Sequence, residues 1–241
     1  MTTEPETLAA KTLLRPCRCD DADFFACDDI LNLYHGCNHG CIYCDSRSEC
    51  YHLERFDELR VKKDCLRMLE DELRRRKKAG IVNMGATSDA YNALEKTARI
   101  TRGALELLCR YGFGVGVPTK TGLLITRDID LYQRIGRVAP VRISFSITTA
   151  DDALAKKIEP GAPPPSERFA ALRELSRAGI FCGVWLNPVV PFITDTDENF
   201  RAILQQTRDA GGRFAICFYG ITLRTGDREY FYQALDRDPN L

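Results

Sequence analysis

Three cysteines carry the most chemistry in this chain: Cys37, Cys41 and Cys44, within Tyr34-His35-Gly36-Cys37-Asn38-His39-Gly40-Cys41-Ile42-Tyr43-Cys44. The Cys-x3-Cys-x2-Cys spacing, on a loop with glycines at 36 and 40, lets three thiolates converge on one face of an inorganic cluster. Cysteine thiolates are the ligands that iron–sulfur clusters require, and three rather than four leave one iron open to a substrate. Zinc is the competing metal, because His35, His39 or Cys50 could complete a four-coordinate site. The eleven cysteines of the chain are a high and odd number. In a reducing compartment, clustered thiols point to metal before disulfides. Cys17, Cys19 and Cys27 precede the loop and offer a second metal site, although unpaired cysteines commonly pack as small apolar residues. Cys65, Cys109, Cys182 and Cys217 fall within predicted helices or strands and are expected in the core.

The elements that must position these residues follow from hydrophobic periodicity. Ile30–Tyr34 reads as a strand that delivers the cysteine loop. Val61–Ala79 has helical periodicity, with Leu66, Leu69 and Leu73 on one face, and Gly80 is placed to end it. The alternation then repeats, with strands at Ile81–Met84, Val115–Thr119, Val141–Ile147, Phe181–Leu186 and Phe214–Tyr219. Between them lie helices at Arg99–Tyr111, Asp128–Ile135, Ser166–Ala178 and Thr194–Ala210, the last capped by Asp195 or Thr196. Strands separated by helices imply an α/β fold with a parallel sheet. Six strand–helix units are two short of a closed barrel, which leaves an open sheet or a partial (β/α)6 TIM-like barrel. In both, ligands gather at the carboxyl ends of the strands, where nearly every polar motif falls. The expected division is an N-terminal extension over 1–29, a core domain over 30–220 and a C-terminal tail over 221–241.

Composition narrows the class. With 44% hydrophobic and 28% charged residues among 241, the chain is that of a globular domain rather than a disordered one. Lys+Arg and Asp+Glu are both 34, so binding to a polyanion by bulk charge is disfavoured. The basic run Arg74-Arg75-Arg76-Lys77-Lys78 lies at the end of a predicted helix, where it complements the dipole. No apolar run reaches the ~18–20 residues that span a bilayer, and no membrane partner is expected. Met1–Lys11 is polar and acidic, unlike a secretory leader, so the expected compartment is cytoplasmic.

The Cys-x3-Cys-x2-Cys motif, with the aromatic Tyr43 before its last cysteine and a strand before its first, resembles the radical S-adenosylmethionine enzymes. That resemblance implies a [4Fe–4S] cluster on Cys37, Cys41 and Cys44, and S-adenosyl-L-methionine chelated to the open iron. It further implies reductive cleavage to a 5′-deoxyadenosyl radical, a partial barrel of six strand–helix units, and Tyr43 beside the adenine. Within the family, Gly85-Ala86-Thr87-Ser88-Asp89, Thr119-Lys120, Arg127-Asp128, Ser144-Phe145-Ser146-Ile147-Thr148 and Glu159-Pro160-Gly161 look like the spore photoproduct lyase branch. By that likeness Ser88 and Asp89 are candidate partners of the cofactor's ammonium, a role a hydroxyl and a carboxylate at a strand end suit chemically. Lys120 would face the cofactor carboxylate or the substrate, Ser146 the ribose or carboxylate, and Asn187 the adenine or ribose. Ser88-Asp89 and Arg127-Asp128 also read as helix caps, and Gly161-Ala162-Pro163-Pro164-Pro165 as a stiff loop. One departure stands out: the lyase has a cysteine before its Thr-Ser-Asp, which returns a hydrogen atom to the product, whereas this chain has Ala86. The resemblance covers about Ile30 to Tyr219.

The implied partners are a nucleobase in nucleic acid as first substrate, a peptide or small molecule as the next, and a reducing donor such as flavodoxin or ferredoxin. Two rivals belong to other classes: an iron–sulfur sensor or repair accessory without catalysis, and a zinc-stabilised nucleic-acid module. The strand-end set at Ser88, Lys120 and Ser146 weighs against the sensor, which needs no such pocket.

Overall fold

The structure, a computed structural model, describes residues 6–17, 26–217, 220–238 and 241. In chain order its main elements are β1 (Thr7–Leu8), β2 (Leu14–Pro16), β3 (Asp29–Leu31), β4 (Tyr34–His35), β5 (Arg60–Lys62) and α1 (Cys65–Arg74). There follow β6 (Ile81–Met84), α2 (Glu95–Ala98), α3 (Ile100–Arg110), β7 (Gly114–Thr119) and α4 (Ile129–Gly136). The rest comprises β8 (Val141–Ser146), α5 (Asp152–Ile158), α6 (Pro165–Arg177), β9 (Cys182–Leu186), α7 (Asp197–Asp209), β10 (Ala215–Cys217) and α8 (Asp227–Arg237).

The main sheet runs β2-β3-β6-β7-β8-β9-β10. Its last six strands are parallel and in chain order, and β2 is antiparallel on the outside. This is the expected α/β sheet of a partial (β/α)6 barrel. Side chains alternate across it. Val82 and Met84, Val115 and Val117, Ile143 and Phe145, and Cys182 and Val184 pack against Leu69, Leu73, Leu105, Leu108, Leu131, Ile135, Leu172 and Leu175 of the helices. Each such leucine contributes about 1.5–3 kcal/mol by leaving water. The opposite face carries Asn83, Gly116, Ser144, Ser146 and Trp185, aligned across neighbouring strands. Period 2 in the strands and a spacing of three or four in the helices thus build one layered core.

Several elements differ from expectation. Ile30–Tyr34 is not one strand: β3 joins the main sheet, and Tyr34–His35 pairs antiparallel with β5 in a small sheet, β1-β5-β4. Val61 therefore belongs to a strand, and the helix expected over Val61–Ala79 is confined to Cys65–Arg74. Its basic end is not wholly solvated, because Arg76 reaches back to the buried carboxylate of Asp29. The segment expected as a C-terminal tail contains α8, and the segment expected as an N-terminal extension contains β2. Thr196 is the cap of α7, its hydroxyl accepting from Asn199 N at 3.2 Å. Cys217, expected in the core, is exposed, because β10 is the edge of the sheet and its three residues are all exposed. Phe218 and Tyr219, at the end of the strand expected over Phe214–Tyr219, lie outside the described residues. Among the described residues, no helix is long and apolar enough to cross a membrane.

Candidate active site

The cysteine loop leaves the end of β4 through Gly36, whose φ of +78° and close neighbours allow no side chain: a Cβ there would lie 2.3 Å from the Glu58 carbonyl oxygen. Cys37 N donates to Phe56 O at 2.8 Å, Cys44 N to Cys41 O at 3.3 Å, and Arg47 N to Cys44 O at 3.0 Å. These bonds bring Cys37, Cys41 and Cys44 to one cavity of about 420 Å³ at the carboxyl ends of the strands. The same cavity is lined by Tyr43 from the loop, Ser88 and Asp89 after β6, and Lys120 after β7. Ser146 at the end of β8, and Asn187, in cis linkage to Pro188 after β9, complete the predicted residues around it.

Burial governs the chemistry of the thiols. It pushes the Cys37 thiol up to about 12 and raises Cys41 and Cys44 as well. The Lys120 ammonium opposes the rise at Cys41 and Cys44. Such thiols stay neutral until a positive charge arrives to hold them as thiolates, which a metal centre does. Among the described residues, no three His, Cys, Asp or Glu side chains stand close enough to hold one metal ion. A cluster makes a different demand, since each cysteine binds a separate iron, and three thiols around one cavity suit it. Of the possible zinc partners, Cys50 is exposed and His35 Nε2 lies 3.2 Å from Glu54 O, while His39 lines the cavity with Nδ1 3.7 Å from the Asp89 carboxylate. Cys17 and Cys27, with sulfurs 2.7 Å apart, flank the β2–β3 connection away from this cavity, and Cys19 lies outside the described residues.

Behind the cysteines sits a buried ionic network that the sequence reading did not resolve. The Glu159 carboxylate accepts from Tyr43 Oη, from Thr148 Oγ1 at 3.1 Å and from Arg168 Nη2. Lys120 Nζ is 4.0 Å from the same carboxylate and 5.5 Å from the Tyr43 ring centroid. Burial alone would raise the Glu159 carboxyl, but the Arg168 and Lys120 cations hold it at about 2. Arg168 also donates to Ser146 O at 2.9 Å and Pro163 O at 2.8 Å. The signal for Arg168 was present: it precedes Leu172 and Leu175 by four and seven residues, an arginine on the apolar face of α6.

Other predicted groups are engaged with the protein. Asp89 accepts from Thr119 Oγ1 at 2.8 Å, Lys120 N at 2.7 Å and Tyr91 N at 2.8 Å, which ties the ends of β6 and β7 together. Ser88 Oγ donates to Gly36 O. Arg127 and Asp128 are not at the cavity; they join Glu95, Arg102 and Tyr91 in an ionic cluster beneath α3 and α4. Ala86 does line the cavity. So does the C-terminal segment, through Gly220, Ile221 and Thr222. That segment is bound to the cysteine loop: Thr222 Oγ1 donates to Asp45, Arg224 Nη1 lies 3.1 Å from the same carboxylate, and Glu49 N donates to Thr225 O at 3.0 Å. Phe231 of α8 packs with Ile42, Tyr43, Ile158 and Val190.

The sequence model of the Radical SAM superfamily matches residues 31–207. An uncharacterized protein of Mycobacterium tuberculosis is 31% identical over 208 residues, which cover 83% of this chain and 61% of the relative. Another, from Methanocaldococcus jannaschii, is 27% identical over 192 residues, covering 79% of this chain and 69% of its own. Among solved structures, a spore photoproduct lyase variant with dinucleoside spore photoproduct superposes with a TM-score of 0.68 at 16% identity, over 97% of this chain and 66% of that one. Streptococcus suis SuiB bound to S-adenosylmethionine gives a TM-score of 0.55 at 10% identity, over 87% and 44%. At these identities the structures show a shared fold. The chain thus spans under two thirds of the Mycobacterium relative and of both structures.

Proposed function

The chain belongs to the radical S-adenosylmethionine superfamily, and from that premise we propose that Cys37, Cys41 and Cys44 hold a [4Fe–4S] cluster that cleaves S-adenosylmethionine reductively. The observation that carries the proposal is that the three cysteines meet the predicted strand-end residues around one cavity. When bound, the cluster supplies the electron that splits the cofactor's sulfonium and generates a 5′-deoxyadenosyl radical. The residues of this chain bind, orient and shield. Tyr43 offers its ring to the adenine, and Lys120 its ammonium to the cofactor carboxylate or the substrate. Asn187 and Ser146 supply hydrogen-bonding groups for the adenosine, and Ser88 and Asp89 face the ammonium. Ile221 and Thr222 line one side of the cavity, where they contribute to the shielding from water that a radical reaction requires.

A nucleobase in nucleic acid is the proposed substrate class, with reaction of the lyase type. The fold shared with spore photoproduct lyase, whose variant was solved with dinucleoside spore photoproduct, supports it, as fold-level analogy. Ala86 argues against thymine-dimer repair by the same hydrogen return, because alanine carries no S–H bond to give. Cytoplasmic placement and a flavodoxin or ferredoxin donor complete the reading.

The test is anaerobic reconstitution with iron and sulfide, addition of dithionite and S-adenosylmethionine, and quantification of 5′-deoxyadenosine. Formation that disappears when Cys37, Cys41 and Cys44 become alanine supports the reading. A loaded cluster that yields none, with nucleic acid, peptide or small-molecule candidates present, supports the sensor. Failure to bind iron ends both.

A further inference from the structure

Burying an ion pair beside a redox centre costs desolvation energy that a hydrophobic pair of the same volume would avoid. Here three charged side chains are buried together: Lys120, Glu159 and Arg168, with side-chain exposures of 16%, 0% and 1%. Their signs do not cancel, and the sum is one positive charge. Glu159 remains an anion because the two cations hold its carboxyl far below the ordinary value. Arg168 also donates to the carbonyls of Ser146 and Pro163, so its position is fixed from the end of β8 and from the loop before α6.

The set is built into the cysteine loop rather than merely near it. Tyr43, between Cys41 and Cys44, donates its hydroxyl to Glu159. Ile42 N donates to Ile158 O at 3.0 Å and Gly161 N to His39 O at 2.8 Å. A Cβ at Gly161 would lie 2.2 Å from Asn38 O, so the turn after Glu159 is pressed directly on the loop. Lys120 shares the cavity with all three cysteines. The other acidic groups lining the cavity, Asp45 and Asp89, are common to every variant below: Asp89 accepts from Thr119, Tyr91 and the Lys120 amide, and Asp45 from Tyr51 and Thr222.

We propose that the buried Lys120–Glu159–Arg168 set, through its one net positive charge, sets the reduction potential of the cluster held by Cys37, Cys41 and Cys44. The inference rests on the radical S-adenosylmethionine reading. Three thiolates and a reduced cluster concentrate negative charge beside protein groups that screen it less than bulk water does, so fixed positive charge stabilises the reduced state. Glu159 and Arg168 are positioning residues in this scheme, holding Tyr43 and the charge balance without touching a reacting atom.

The test is a redox titration of the reconstituted protein, followed by electron paramagnetic resonance without S-adenosylmethionine so that cofactor affinity does not enter. Glu159→Gln raises the sum to two positive charges and shifts the potential in the positive direction. Lys120→Met lowers the sum to zero and shifts it in the negative direction. The double variant Glu159→Gln with Arg168→Met restores one charge and returns the potential toward wild type. A purely structural role would reduce iron content and thermal stability in these variants without ordering their potentials by charge. Potentials that stay fixed, or move in one direction in all variants, at matched iron content overturn the inference. If Glu159→Gln loads no iron, Lys120→Met and the double variant still order the potentials. A wild-type protein that binds no iron would instead defeat the cluster assignment itself.

Discussion

A carboxylate cut off from water keeps its charge only where protein groups replace the solvent, and at Glu159 Tyr43, Thr148, Arg168 and Lys120 do so. The folded carboxyl sits at about 2 against an ordinary 4.5, a depressed value. Its stabilising contribution is therefore complete above pH 4.5 and lost as pH falls from there toward 2, amounting to roughly 3 kcal/mol. Acid unfolding of the apoprotein, followed by circular dichroism, will show this loss, and Glu159→Gln will flatten the profile in that window. The cysteines make a simpler prediction at this scale. Replacing Cys37, Cys41 and Cys44 together by alanine abolishes iron binding, read by iron and sulfide analysis and by the visible absorbance. Retention of the cluster by that variant is the result that would sink the assignment.

At the scale of elements, the site depends on how two loops far apart in the chain are pressed together. Gly161→Ala drives a Cβ into the Asn38 carbonyl oxygen, 2.2 Å away, and the backbone must move apart. The expected result is lower iron loading with helix content near wild type, measured by iron analysis and far-ultraviolet circular dichroism. Helix α8 acts from the other side. Phe231 is buried with Ile42 and Tyr43, and Arg47 is held 3.8 Å from the Tyr230 ring centroid. Phe231→Ala removes about 3–5 kcal/mol of packing from this junction rather than from the barrel core. Faster hydrogen exchange over residues 41–47 and a shorter cluster lifetime in air are the expected outcomes. Protection of β7 and β8 should be unchanged.

For the whole molecule, the sheet has unequal sides. At its centre, β6 to β9, the helix-facing side chains such as Val82, Val117, Phe145 and Val184 are packed to near-zero exposure, whereas β10 leaves Ala215, Ile216 and Cys217 exposed. Thiol reactivity in the folded apoprotein should follow that asymmetry. Cys50 and Cys217 will alkylate first, and Cys65 and Cys182 only on unfolding, as read by mass spectrometry of digests. Equal labelling of Cys182 and Cys217 before unfolding would show that the core around β9 is not packed as described.

The sequence by itself determined what is local. Cys37, Cys41 and Cys44 lie within one short loop, so their spacing alone marked them as candidate ligands of one centre. Strand and helix periodicity likewise located β6 to β9, overlapped β3 and β10, and put Ser88, Lys120, Ser146 and Asn187 at strand ends. Each of these signals is carried by neighbours in the chain, where backbone geometry converts spacing into direction. What only the tertiary structure decided is non-local. Val61 became a strand because Tyr34 and Thr7 pair with it, against its helical periodicity. Tyr43 and Glu159, 116 residues apart, share a hydrogen bond that no periodicity records. Arg168 on an apolar helix face is unfavourable until Glu159 and two carbonyls receive it, and Cys217 is exposed because its strand is an edge. Such features depend on which surfaces meet after the helices have packed, and pattern along the chain holds no information about that meeting.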